Sequence, residues 1–147
     1  MLPFLVLISS VLVLRMIGAF GVIALQSWTH SLRGGLAVMF LLTASAHWGT
    51  RRPDLVRMVP KIFPRPDLIV TITGILEIAG AIGLLVPSTT KVASTCLAFM
   101  LIAMFPANVR AARENLTLGG KPATPLVLRT LLQIAFIAAL MWAGWSK

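Results

Sequence analysis

Glu77 is the residue in this chain that most needs a partner or a task. The 147 residues hold four acidic side chains against 13 Lys and Arg, and Glu77 is the middle residue of the apolar run Leu68 to Val86, which contains no other charge. A charge at the centre of a hydrocarbon layer costs about 2.5–3.5 kcal/mol on insertion scales. Arg15, within two residues of the middle of the run Leu2 to Leu25, is the second charge placed this way. Equal depth makes an Arg15–Glu77 ion pair one reading, a device for packing two helices together. The other reading makes Glu77 a ligand-facing or proton-handling carboxylate. Thr73, Gly74, Gly80 and Ala81 stand three or four residues away on either side and share its helical face. That face is small, so it admits either a neighbouring helix or a flat ligand; helix packing is the role expected of Gly74, Gly80 and Gly83.

A second polar group comes together once the chain is threaded through a bilayer. His47 ends the second apolar block, Asn108 follows Pro106, and Arg129 and Gln133 share a face at i, i+4. All four fall in the same half of the layer, and with Glu77 as floor they would line a polar pocket between helices. The alternative is that Arg129 and His47 only meet lipid headgroups. Glu77 and His47 are the pair that could serve as acid and base, but no nucleophile, metal set or nucleotide loop accompanies them. Haem ligation by two histidines fails, because His30 and His47 are 17 residues apart, about 25 Å along one helix. The single cysteine, Cys96, has no CxxC or Cys/His cluster around it, so neither an internal thiol relay nor a metal site is expected.

These residues must be carried by helices. Hydrophobic residues make up 58% of the chain and charged ones 12%, far from the composition of a water-soluble domain. The net charge is +9, but the basic residues sit between apolar blocks instead of along one face, which argues against nucleic acid. Five apolar blocks are legible. Leu2 to Leu25 would span about 36 Å as one helix. Its lack of a preceding Lys or Arg and of a small-x-small site favours an anchor over a cleaved signal. Gly34 to Trp48 is short and must extend back to Ser31 or Trp28, with Arg33 snorkelling. Leu68 to Val86 is entered through Pro66 and Asp67 and left through Pro87. Thr90 to Phe105 continues, kinked at Pro106, as Ala107 to Glu114 until Gly119 and Gly120 stop it. Leu126 to Trp145 has Thr124 as N-cap and Pro125 at the first helical position. Pro53 to Met58 reads as a short interfacial helix, Arg51, Arg52 and Arg57 toward phosphates and Leu55, Val56 and Met58 toward lipid.

Alternating barrel-type patterning is absent, so the expected fold is an all-α membrane bundle. Arg51, Arg52, Arg57, Lys61, Arg65, Arg110, Arg113 and Lys121 share one side; Arg33, Lys91 and Lys147 take the other. The positive-inside rule then predicts five spans in the cytoplasmic membrane, N-terminus in and C-terminus out.

Several segments together resemble the DoxX-like family of small membrane proteins. They are Ala46-His47-Trp48, Met58-Val59-Pro60, Thr73-Gly74-Ile75-Leu76-Glu77 running on to Leu85, Phe105-Pro106-Ala107-Asn108-Val109, and Pro125-Leu126-Val127-Leu128-Arg129 with Gln133. The resemblance covers about Gly35 to Trp145. It implies a four-helix membrane core, here residues 31–146, behind an additional N-terminal transmembrane helix, residues 1–26, in a single membrane domain. It marks His47, Glu77, Asn108, Arg129 and Gln133 as the family's polar positions. The sequence departs from the pattern at Trp48, where such proteins often have Phe, and in the extra helix that brings Arg15. Some members are associated with thiosulfate:quinone oxidoreductase and other redox complexes. The resemblance therefore implies an accessory subunit or ligand-holding partner of a quinone-linked membrane redox system, without a cofactor of its own beyond a bound quinone or lipid. Its partners would be the bilayer and a membrane redox protein or further copies of the chain. An intramembrane oxidoreductase and a small transporter or proton-conducting bundle are the alternatives.

Overall fold

The computed structural model describes residues 2–146, Ala24 by its backbone alone. Seven α-helices and one short hairpin follow one another: α1 (Leu2–Ala19), α2 (Trp28–Ser45), α3 (Arg52–Met58), α4 (Pro66–Leu85), α5 (Thr90–Ala103), α6 (Phe105–Arg113), β1 (Thr117–Leu118), β2 (Lys121–Pro122) and α7 (Leu126–Trp145). The chain is all-α apart from that hairpin. Helices α2, α4, α5 and α7 form a closed ring, each touching the next, and α1 lies outside the ring against α2.

Four stretches are long and apolar enough to cross a membrane: α1, α4, the broken pair α5–α6 over Thr90–Arg113, and α7. Helix α2 has 18 residues but is less apolar, so four stretches meet that measure where five were expected. Its position explains why. Neighbours on three sides bury Leu36, Met39, Phe40 and Ser31 almost completely, so only a strip with Trp28, Val38, Leu41 and Leu42 is left for lipid to solvate. The outer faces of the other long helices carry exposed Leu5, Leu12, Ile75, Ile82, Phe99, Leu131 and Trp142, which water would not tolerate in such density.

The ends of the elements follow local chemistry. Ser27 caps α2 by accepting from the Thr29 N–H at 3.2 Å, and Pro66 and Asp67 open α4 as expected. The first apolar block does not run as one helix to Leu25. It ends at Ala19, because Gly21 takes φ +114° and the chain doubles back over Gly18 into a 3₁₀ turn at Ile23–Leu25. Helix α1 is therefore about 27 Å long. The break after α5 comes at Met104, two residues before the proline, since Pro106 lacks an N–H and its ring would strike the carbonyl four residues back. Helix α6 stops at Arg113, ahead of Gly119 and Gly120. These two glycines, at φ +60° and +75°, instead turn the β1–β2 hairpin. Helix α7 starts one residue late, with Pro125 as N-cap at ψ 146° and Thr124 outside it.

One end of the bundle holds α3, the hairpin and both basic connections. There Asp54 accepts from the Gly119 N–H at 2.6 Å and pairs with Arg57, which also donates to the Thr117 carbonyl at 3.1 Å. The Gly119 N–H, and then Arg57, hold the Asp54 carboxyl below its ordinary value. The opposite end is an aromatic and cationic belt. Arg15 lies 5.3 Å from the centre of the Trp28 ring, Lys91 lies 5.4 Å from that of Trp145, and Arg33 donates to the Ala143 carbonyl at 2.8 Å. Lys147 lies outside the described residues.

Candidate functional site

His47 is placed by a turn that α4 allows to come unusually close. A Cβ at Gly74 would sit 2.8 Å from both His47 and Trp48, so only glycine lets α4 pass beneath this turn. Arg52 clamps the same turn, donating to the His47 carbonyl at 2.7 Å and to Thr71 Oγ1 on α4 at 2.9 Å. Three residues after Gly74, Glu77 enters the same space. His47 and Glu77 are 3% and 4% exposed, the most buried ionisable side chains described.

Thr43, one turn before His47 on α2, completes this wall. Its Oγ1 donates to Glu77 Oε2 at 2.8 Å. The Thr43 carbonyl lies 3.1 Å from His47 Nδ1; a carbonyl can only accept, so Nδ1 carries the proton. Nδ1 stands 3.9 Å from Glu77 Oε2, a close approach but not a hydrogen bond. Glu77 Oε1 and His47 Nε2 have no hydrogen-bond partner among the described residues.

The opposite wall is a directional chain. Arg129 Nη1 donates to Asn108 Oδ1 at 2.8 Å, Asn108 Nδ2 to Gln133 Oε1 at 3.3 Å, and Gln133 Nε2 to the Leu101 carbonyl at 2.9 Å. Arg129 Nε also reaches the Thr124 carbonyl, at 3.1 Å. No carboxylate pairs with Arg129 among the described residues. Both walls, with all of Glu77, His47, Asn108, Arg129 and Gln133, line a single cavity of about 370 Å³. Chemically it offers a cation with free N–H donors on one side and a free carboxyl oxygen on the other. That suits a small molecule with two oxygens at opposite ends.

Three expectations need correction. The Arg15–Glu77 ion pair does not form. Phe4 of α1 already lines the cavity and stacks near Phe136, at 6.3 Å between ring centres, so Arg15 lies eleven residues, about 16 Å, further along. With α1 ending at Ala19, Arg15 falls in its last turns, where Trp28 receives it; its buried Nε has no hydrogen-bond partner. On α3, Leu55 and Met58 face the cavity instead of lipid, and Met58 is buried. Arg52 and Arg57 are engaged by protein groups instead of phosphates. The small residues do pack helices: added Cβ atoms at Gly80 and Gly83 would meet Leu97 at 2.5 Å and the Ala93 Cβ at 2.8 Å.

Thr43 and Met58 are cavity residues that the sequence reading missed. Thr43 was available, four residues before His47 on one helical face. Met58 depends on how α3 folds back, which no local pattern states. Among the described residues no cluster of three or more His, Cys, Asp or Glu could hold a metal ion.

No curated protein and no solved structure matches the chain. Residues 36–145, from the middle of α2 to the end of α7, match the family model described as Domain of unknown function (DUF8561), and this match covers the whole cavity except its α1 edge. The chain belongs to the DUF8561 family.

Proposed function

We propose that the protein is a membrane-embedded holder of a small lipid-soluble ligand, bound between Glu77 and Arg129, and serves as an accessory partner of a quinone-linked redox system. The observation that carries the ligand site is the 370 Å³ cavity, in which Glu77 Oε1 and a guanidinium N–H of Arg129 are both left without protein partners. Polar atoms that face a cavity without a protein partner are open to completion by a guest. The redox association rests on the DoxX-like resemblance, whose polar positions are these same five residues.

A quinone-type head fits the donor set. One ring oxygen would accept from Arg129, held in place by Asn108 and Gln133. The oxygen across the ring would lie on the Glu77, Thr43 and His47 side, where it could meet a proton held by Glu77. When bound, the ring supplies two-electron redox chemistry; the chain's own part is to orient it and exclude water. In this reading the basic α3 end faces the cytoplasm of a cell whose inner membrane holds the bundle, as the Lys and Arg asymmetry favours.

Purification of the intact chain in mild detergent, followed by native mass spectrometry, tests the proposal. A co-purifying quinone or lipid, lost in Arg129→Ala, is the expected result; a bare chain with neither ligand nor partner overturns it. The 3.9 Å approach of His47 to Glu77 favours one second reading, an intramembrane oxidoreductase using the two as base and acid. Glu77→Gln and His47→Ala, each folded, should then abolish oxidation of a supplied quinol by an added soluble electron acceptor; unchanged turnover removes that reading.

A further inference from the structure

Behind the polar cavity lies a second one of about 580 Å³, bounded by α4, by α5 and α6, and by α3 with the segment that follows it. The two cavities share His47, Leu55, Met58 and Met104, so the partition between them is one side chain thick. Two of those four are methionines, unbranched and able to change rotamer without disturbing the backbone. The second cavity is apolar, with Ile69, Val70, Phe99 and Ala103 in its walls, and it shares Leu76, Cys96 and Met100 with a third groove. This third groove, about 460 Å³, runs between α4 and α5 as far as Val86. From Leu76 to Val86 is ten residues, about 15 Å of helix. Polarity thus falls in one direction only, from the Glu77–Arg129 cavity outward along α4.

We infer that these three spaces are one bipartite binding site for a single-tailed amphiphile. Its compact polar head lies between Glu77 and Arg129, and its tail passes His47 between Met58 and Met104 and leaves along the α4–α5 groove over Cys96. The inference rests on the ligand-holding reading of the polar cavity and adds the tail, its route and its exit. Gly80 and Gly83 face α5 at the groove and put no side chain of their own into it, so its walls are set by Leu76, Ile82, Val92 and Leu97.

The chain contains one cysteine, and it is exposed, so alkylation there reports on the tail alone. The full chain in lipid nanodiscs is treated with N-ethylmaleimide and the mass shift followed, with duroquinone or with its analogue bearing one decyl chain. Head binding is read separately, by quenching of tryptophan emission, since Trp48 adjoins His47 with ring centres 6.1 Å apart. The decyl compound, at ten times its dissociation constant, should slow Cys96 alkylation about tenfold, while duroquinone leaves the rate unchanged. Ala103→Phe, which fills the second cavity from an exposed position, should weaken the decyl compound roughly tenfold and duroquinone hardly at all. If both compounds bind alike and neither or both protect Cys96, the tail route is wrong while the polar site stands. If neither compound quenches, the ligand-holding reading falls and the route with it.

Discussion

Helix α4 passes through two environments, and they differ in what its small residues do. Toward Val86, Gly80 and Gly83 bring α5 into direct contact, Leu84 and Leu97 are buried to 2% exposure or less, and Gly144 of α7 sits against Ser94. Toward Pro66, Gly74 admits only a turn, and the space beyond it stays open around Glu77. One half of the bundle fills its interior with side chains that complete one another and leaves only an apolar groove on its outside; the other leaves polar atoms unanswered. Stability is thus concentrated in the first half and capture of the polar head in the second, a division expected where function is carried by incompletely satisfied groups.

Breaking the closed half should produce the largest effects. Leu97→Ala removes a side chain enclosed by α4 and α5 and should cost about 2–5 kcal/mol, measured as a lowered unfolding midpoint in detergent. Gly80→Leu at the same contact should cost about 1–3 kcal/mol through overpacking, whereas Ala103→Leu on the cavity side should leave the midpoint nearly unchanged. Equal losses from those two would erase the contrast between the halves. In the open half, Glu77→Leu should shift stability by less than about 1 kcal/mol, since the Thr43 hydroxyl still has the Phe40 carbonyl to donate to, yet reduce ligand capture at least about tenfold. A large stability loss with ligand capture intact would make Glu77 a structural residue.

The smallest expected effect lies at the α3 end. The folded state holds Asp54 below its ordinary value of 3.8, so the anchoring of the hairpin is fully present above that value and is lost as pH falls below it. The protection of the Gly119 amide, its exchange relative to the intrinsic rate at each pH, should fall in that window and should be low at every pH in Asp54→Ala. Exchange that ignores both changes would show that Asp54 does not hold the hairpin.

The apolar blocks were legible because lipid solvation imposes a residue-by-residue requirement that composition alone reveals. For the same reason, Pro66, Asp67 and the interruption near Pro106 could be read as helix punctuation. The five polar positions were legible too, since a charge or amide inside such a block must face away from lipid, and at shared depth these residues had little choice but to face one another. Arg15 escaped that logic. Its mid-depth position holds only for a 24-residue helix, but Gly21 ends the helix early and α1 is displaced along the bundle. Depth within one's own segment says nothing about the axial offset between segments.

What the amino-acid order determined by itself is therefore the helical, apolar character of the chain and the set of side chains that must turn inward, because burying an amide or a charge in hydrocarbon is costly wherever it occurs. Only the tertiary structure decided that Thr43, rather than Arg15, meets Glu77, that α3 folds its methionine inward, and that α2 can be the least apolar long helix by being the most enclosed. Those outcomes depend on offsets and crossing contacts among helices, and many arrangements satisfy the same local pattern until side-chain volumes select one.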